Sequence, residues 1–541
     1  MTLSIRTVAV AVFTGLILAL IGAAPASATT FCVPAFHPAC PNNGTNQPQA
    51  DLQTAMATLG NDGIPDKIVI DAVTLSPPGS IHPVPFYFAE DPLEVVGAGT
   101  AKTRITSSTG GNIFILNLAN TNFSQRHVTM HDLSIVVPPN VGMSSASAVQ
   151  SARDTFENVD FVSQDPSTGA HTAKGAGSII DGGVFRNVKF YGESGGRFGK
   201  AIVTGTTYIP DPTLEIDHVN ITDTDNAIDS FSGTPPPITV KSSHFDVGDF
   251  AVATYEGFQT TIQNSVIESG QYQPFFVGPN SSLTLLNSTI IGRSGSPIAI
   301  RLSLDPGDSG SANVVVKDSI IRGFPKTWML EAPVSPADGN ANLDISYSNL
   351  SSSGTKTGDG TLNVTNGVIN EDPLFKGLTD YHLGEGSPSI DAGDPAAGGL
   401  LDDIEGTIRP LDGNGDGTAA RDQGAYEAPT LATCANTASL CPDTTKPVVS
   451  KVKFKAPKKK AGSLKFRLSE AATVKATFKP IPPKKKPKRK AVKLSNKAKA
   501  GANTLKLKKG KLKKGKYRLT ITATDLAGNK AKTFTRKVRV K

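Results

Sequence analysis

The chain has one tryptophan, five methionines and four cysteines in 541 residues, and aromatic side chains make up only 6% of it. Set beside 52 glycines and 38 prolines, that scarcity points away from helix bundles and towards turn-rich β structure. Past the N-terminus no apolar run is long enough to cross a bilayer. No glycine-rich phosphate loop stands between a strand and a helix, since Gly97-Ala98-Gly99 reads as a turn, and a nucleotide site has no support. Neither close cysteine pair, Cys32 with Cys40 or Cys434 with Cys441, has the two-residue spacing of a zinc knuckle, which argues against structural zinc.

What is present begins with an export signal. Arg6 supplies a positive start, Val8 to Ile21 is almost unbroken in apolar character, and Ala26-Ser27-Ala28 fits a small-x-small cleavage site. Residues 1–28 are therefore expected to be a signal peptide, with the mature chain secreted or at the cell surface. Disulfides persist there, and two local bridges are the economical expectation among the three pairings that four cysteines allow.

Charge divides the remainder. From Asp443 to Lys541 there are 34 lysines and arginines against three acids, while residues 1–442 hold 21 basic and 44 acidic residues. A net +8 thus hides two oppositely charged parts, and a change this abrupt marks a domain boundary. The expected division is a β-helix over 29–430, a cysteine-containing linker over 431–447 and a basic module over 448–541.

The acidic part repeats an octapeptide of the form apolar-x-apolar-x-(Asn/Asp/Ser)-x-x-apolar. Nine copies, from VTMHDLSI at 128–135 to LDISYSNL at 343–350, place Asp132, Asn158, Asn187, His218, Ser242, Asn264, Asn287, Asp318 and Tyr347 at the fifth position. Their spacing of 22 to 31 residues is that of a solenoid. Positions one and three share a strand face. The fifth residue is of the kind that accepts a left-handed turn, after which the chain leaves in a new direction. One unit cannot bury its apolar side alone, but stacked units can, with apolar ladders inside and room for asparagine ladders at the turns. The expected fold is all-β: a right-handed parallel β-helix followed by a small β-sandwich. Leu52 to Leu59 reads as a capping helix, and Lys67 to Leu75 and Leu93 to Val96 as first strands.

The octapeptides resemble the right-handed parallel β-helix superfamily of pectate lyases and many bacterial surface proteins. Asp372-Pro373-Leu374-Phe375, Asp380-Tyr381-His382-Leu383, Gly386 to Gly393, Arg409-Pro410 and Asp422 to Glu427 resemble the closing segment of bacterial "choice-of-anchor" β-helix proteins. That resemblance implies surface display more than any one reaction, and the coil is expected to end near Glu427.

Two groups of residues are candidates for chemistry. Asp412, Asn414 and Asp416 alternate before Gly417, with Asp422 nearby, an oxygen-donor pattern suited to calcium. Gln423 stands at the twelfth position, where an EF-hand has its bidentate glutamate. Asp223, Asp225 and Asp229 are candidates for a polysaccharide lyase, binding calcium and neutralising a uronate while Lys200 or Arg197 one coil earlier abstracts a proton, or for the paired acids of a glycoside hydrolase. Turns need the same residue types, and a separation that would identify a hydrolase pair is not legible in sequence. None of the eight histidines pairs with a serine or cysteine at an informative spacing.

The basic module alternates as a sandwich does, with Tyr517, Leu519 and Ile521 on one side and Lys516, Arg518 and Thr520 on the other. It resembles bacterial immunoglobulin-like modules. Its charge calls for an anionic envelope polymer or polysaccharide, and scarce aromatics argue against nucleic acid. The functional expectation is a surface protein that binds carbohydrate or an envelope component, attached non-covalently by this module. The alternative is a polysaccharide-active enzyme with its groove along the coil.

Overall fold

The computed structural model describes residues 28–429 and 446–540, apart from 61, 78, 80, 82–90, 108–111, 117–126, 140–146, 152, 167–175, 181, 206–212, 231–234, 255, 294, 335–338, 397–399, 457–461, 470, 482–488, 509 and 525–529. The chain divides into two units, residues 1–430 and 431–541. The expected signal peptide lies outside the described residues, apart from Ala28, and so do Cys434 and Cys441. No helix among the described residues is long and apolar enough to cross a membrane.

The first unit is a parallel β-helix, with 32 strands among the described residues, wound as three faces. The first face runs from Thr30–Val33 through strands such as Leu93–Val96, Gly183–Arg186 and Ser282–Leu286 to Thr361–Val364. Each of these strands pairs in register with its counterpart one coil away, as in Phe156 with Phe185 and Phe185 with Ile216. The second face includes His244–Val247, Val266–Ser269 and Thr289–Gly292, and the third includes Phe198–Thr204, Phe275–Val277 and Ile298–Ser303.

The corner between the first two faces is the fifth position of the octapeptide. All nine residues there have positive φ, between 45° and 59°. Asn and Asp accept this conformation at little cost because their short side chains bond locally. His218, Ser242 and Tyr347 adopt it as well, so the corner is imposed by coil stacking and only favoured by the local residue.

The expected asparagine ladder is confined to one step, where Asn158 Nδ2 donates to Asp132 Oδ1. The ladder that does run along the coil is made of serine, at the sixth position. Ser243, Ser265, Ser288, Ser319 and Ser348 are all buried. Each hydroxyl donates to the carbonyl two residues before it, at 2.6–2.8 Å. Each accepts the backbone N–H of the sixth residue one coil earlier, at 3.1–3.3 Å. Earlier coils hold Leu133, Val159, Val188 and Val219 there, buried in the hydrophobic core. That core includes face-stacked phenylalanines, Phe156 on Phe185 at 5.1 Å and Phe161 on Phe190 at 4.5 Å.

The N-terminal end is covered as expected. The helix Leu52–Ala57 buries Leu52, Ala55 and Met56, and Asp51 caps it by accepting Thr54 N at 2.7 Å. Cys32 and Cys40 form a disulfide.

The C-terminal end departs from the expectation. The last first-face strand is Thr361–Val364, and the chain up to Ala428 turns back along the outside of the coil instead of extending it. Tyr381 and Ala425 pack on Val266 there, with Phe375, Ile291, Ile404 and Tyr426 around them. Corner residues hold this segment. Asn264 Nδ2 donates to Asp402 O at 2.6 Å, Asp318 Oδ1 accepts Asp394 N at 2.7 Å, and Lys317 pairs with Asp394 at 2.6 Å. Strand alternation is lost after 364 because glycine, proline and aspartate dominate, which favours successive turns.

In the second unit two antiparallel sheets share one core. Val449–Lys455, Gly462–Leu468 and Gly501–Leu507 form a three-stranded sheet. Val492–Ala498, Ala472–Ile481, Gly515–Thr524 and Phe534–Val540 form a four-stranded sheet, in that order. Leu464, Phe466, Val474, Phe478, Leu519 and Ile521 lie in the shared core. The expected alternation is present in Gly515–Thr524, where Tyr517, Leu519 and Ile521 are buried. Pro480 belongs to the end of a strand, opposite Tyr517.

Candidate functional site

On the outer side of the first face, one register position carries alternating charge over five coils: His131, Glu157, Arg186, Asp217 and Lys241. In-register parallel pairing puts these side chains directly above one another. Opposite charges at adjacent rungs avoid the repulsion that identical charged residues would cause.

At the N-terminal end of this column lies a cleft of about 700 Å³, lined by Pro65, Pro92, Glu94, His131, Glu157 and Asn158 among others. His131 is gripped on both sides. Its Nδ1 lies 2.8 Å from Asp132 Oδ2 and its Nε2 2.8 Å from Glu94 Oε1, while Lys67 pairs with Glu94 at 2.8 Å. Burial works to lower the His131 pKa, but the bonds to Asp132 and Glu94 outweigh it and raise the pKa above the ordinary imidazole value. Burial likewise works to raise Glu94, and Lys67 and His131 hold it below the usual carboxylate range. The raised pKa favours the protonated ring, in which both nitrogens donate to carboxylates and no lone pair is free to act as a base.

The three aspartates sit on or beside the strand Asn220–Ser230, each with a partner. Asp223, at a φ of 52°, accepts Gly192 N at 3.2 Å. Asp225 takes Arg197 at 2.7 Å, and buried Asp229 takes Lys200 at 2.9 Å and Asn226 Nδ2 at 2.9 Å. The lysine that a lyase would use as its base is thereby tied to Asp229.

In the 412–422 loop the carboxylates turn towards backbone amides. Asp412 accepts Gly415 N at 2.7 Å, Asp416 N at 3.1 Å and Gly417 N at 2.9 Å. Asn414 accepts Asp416 N at 2.8 Å, and Asp416 accepts Thr418 N at 2.8 Å. Asp422 is separate and fully buried, accepting Asp391 N at 2.7 Å and Ala428 N at 2.5 Å. Among the described residues no group of three or more His, Cys, Asp or Glu side chains has an arrangement that could hold a metal ion.

Asp422 belongs to a buried polar cluster that was not anticipated from sequence. Arg409, 2% exposed, reaches Glu427 at 3.5 Å and donates to Gly424 O at 2.9 Å. Glu427 accepts Leu411 N and Asp422 N, and Asp403 accepts Glu427 N at 2.9 Å. Burial, opposed in part by Arg409, pushes the Glu427 carboxyl up to about 7, and burial together with Glu427 raises Asp422. The cluster fastens the folded-back segment from within. The closing motif marked these residues, but nothing in the sequence showed that they meet.

The four-stranded sheet of the second unit has an exposed cationic face. Lys475, Lys479, Lys493, Lys497, Lys516, Arg518, Lys537 and Arg539 are all exposed, and its four strands contain no acidic residue.

No family model matches the chain, and no curated protein matches it. Among solved structures it is similar to the A-module of the mannuronan C-5 epimerase AlgE6 of Azotobacter vinelandii, at 13% identity and a TM-score of 0.26, over 57% of this chain and 91% of that one. It is similar to ORF18 of Geobacillus virus E2, at 11% identity and a TM-score of 0.25, over 91% and 82%. It is also similar to the cell-surface-expressed chitinase ChiW of Paenibacillus sp. str. FPU-7, at 14% identity and a TM-score of 0.14, over 74% of this chain and 24% of that one. The functional reading rests on the chain's own residues.

Proposed function

We propose that this is an exported surface protein whose acidic β-helix binds a hydroxyl-rich carbohydrate and whose basic sandwich attaches it, without a covalent link, to an anionic polymer of the envelope. The observation that carries this reading is the partition of charge, with 34 of 55 basic residues but only three of 47 acids from Asp443 onward. A field of one sign steers a polyanion to it and raises its local concentration. The immunoglobulin-like reading of the module is supported by its seven strands dividing as first-second-fifth and fourth-third-sixth-seventh.

Binding is favoured over catalysis on the coil because the candidate acids and bases are paired with one another. The cleft beside His131 carries Glu94, Asp132 and Glu157, which would repel a uronate and suit a neutral or amino sugar. Incubating the full chain with neutral and acidic polysaccharides tests this, with binding to a neutral polymer expected and no unsaturated product from any. An unsaturated product would favour the lyase alternative. Attachment is tested by washing envelope fractions in about 1 M salt, where screening is nearly complete. Release is expected, and protein that stays bound refutes electrostatic attachment.

A further inference from the structure

We infer that the attachment surface is the outer face of the four-stranded sheet, and that its occupant is a flexible linear phosphodiester polymer bearing free hydroxyls; this rests on the attachment role proposed above. Strand register arranges the cations in rows. Lys479, Arg518 and Lys537 lie directly opposite one another across three strands, and Lys516 and Arg539 form the adjacent row. Lys493, Lys475 and Lys497 continue the field along the other edge. Between these groups, Thr477, Thr520 and Thr535 form a row of hydroxyls in register, flanked by Thr473, Thr522 and Thr524.

Like charges directly opposite on a sheet destabilise it, and no acid on these strands relieves the repulsion. A polyanion laid across the rows does. Neighbouring cations stand about 5 Å apart across strands and about 7 Å apart along them, a pitch that a flexible chain of regularly spaced charges can follow. The three-stranded sheet is less continuous. Lys453 faces Lys465 there, but the next residue in that row is Thr504, and Ser463 separates Lys455 from Lys506.

The choice of anion follows from side-chain chemistry. Five of the 34 cations from Asp443 onward are arginine and the rest are lysine. Arginine's planar fork fixes the orientation of a carboxylate or phosphate bidentately, whereas a lysine ammonium is a compact point charge indifferent to direction, so a mainly lysine field suits tetrahedral phosphates on a flexible chain. The threonine row offers hydroxyl partners to a polyol chain between its phosphates.

The test uses the full chain, poly(glycerol phosphate) and, as the uronate comparison, alginate of matched charge number. The dissociation constant is measured from about 50 to 200 mM salt. At least tenfold tighter binding to the phosphodiester polymer is expected. The triple variant Lys479→Gln, Arg518→Gln and Lys537→Gln should lower the slope of log affinity against log salt by about 2, at roughly 0.7 per cation removed. The control triple Lys453→Gln, Lys465→Gln and Lys506→Gln should change it by less than half as much. Both triples remove exposed like charge, so a melting temperature no lower than that of the unaltered chain confirms that each is folded. Equal slope changes in the two triples, or equal affinity for alginate, overturn the assignment. If neither polymer binds at the lowest salt, the attachment reading fails with it.

Discussion

The backbone N–H of Ser265 donates to the hydroxyl of Ser288, one coil further on, at 3.3 Å, and that hydroxyl donates to Leu286 O at 2.8 Å. The link recurs from Val219 to Ser348, so a buried polar file runs beside the apolar ladders and every hydroxyl in it is satisfied.

Ser288→Ala is therefore expected to cost about 1–3 kcal/mol, because two buried backbone groups lose a partner and no water replaces it. Chemical denaturation measures this. A cost below about 0.5 kcal/mol would show that the file is redundant with the strand ladder.

Ser242 occupies its corner at a φ of 45°, a region that favours Asn over Ser. Ser242→Asn should stabilise the coil by about 0.5–1 kcal/mol, within the range of the left-handed penalty. Tyr347→Asn should not, although its φ is also 45°. The Tyr347 ring lies against Gly367, where a Cβ would come within 2.4 Å of ring atom Cδ1, and its packing would be lost. Parallel melting curves of the two variants distinguish conformational relief from lost contact.

His131 should titrate above the ordinary imidazole value of 6.5, because Asp132 and Glu94 outweigh its burial. The folded pKa exceeds the unfolded one, so the clasp's contribution is complete below about 6.5 and is lost as pH rises through the folded value. Glu94→Gln should bring the midpoint down. NMR titration of the ring checks both, and a midpoint below 6.5 in the unaltered protein would show that the two carboxylates do not control it.

Glu427 adds a dependence of the same sign, from burial rather than from ion pairing. Its carboxyl is raised from 4.5 to about 7 in the fold, so the folded state holds a proton that the unfolded chain releases. Stability is greatest below about 4.5 and falls as pH rises to about 7. Glu427→Gln should flatten that window while the His131 dependence remains. Hydrogen exchange of the 401–428 segment is the readout, and an unchanged pH profile in the variant would place the titration elsewhere.

Much of the coil was legible from the octapeptide, because each copy states its strand, its corner and its re-entry within eight residues. The corner residues were identified through the local chemistry of Asn and Asp, and all nine adopt the expected conformation. The serine file was missed although Ser243, Ser265, Ser288, Ser319 and Ser348 recur at the repeat spacing, because a small polar residue beside a turn reads as solvent-facing. The site was less legible. Asp223, Asp225 and Asp229 stand out by type and clustering, and Arg197 and Lys200 by their place one coil earlier, but only strand register pairs Asp225 with Arg197 and Asp229 with Lys200 and leaves Asp223 on a backbone amide.

By itself the sequence determined the solenoid and the opposed charges of the two parts, since periodicity and net charge belong to the chain before it folds. Only the tertiary structure decided that residues 365–428 fold back on the coil, that Arg409, Asp403, Asp422 and Glu427 share one buried site, and that Lys479, Arg518 and Lys537 align across three strands. Those outcomes depend on register and burial between residues far apart in sequence, and such relationships exist only once the strands are paired.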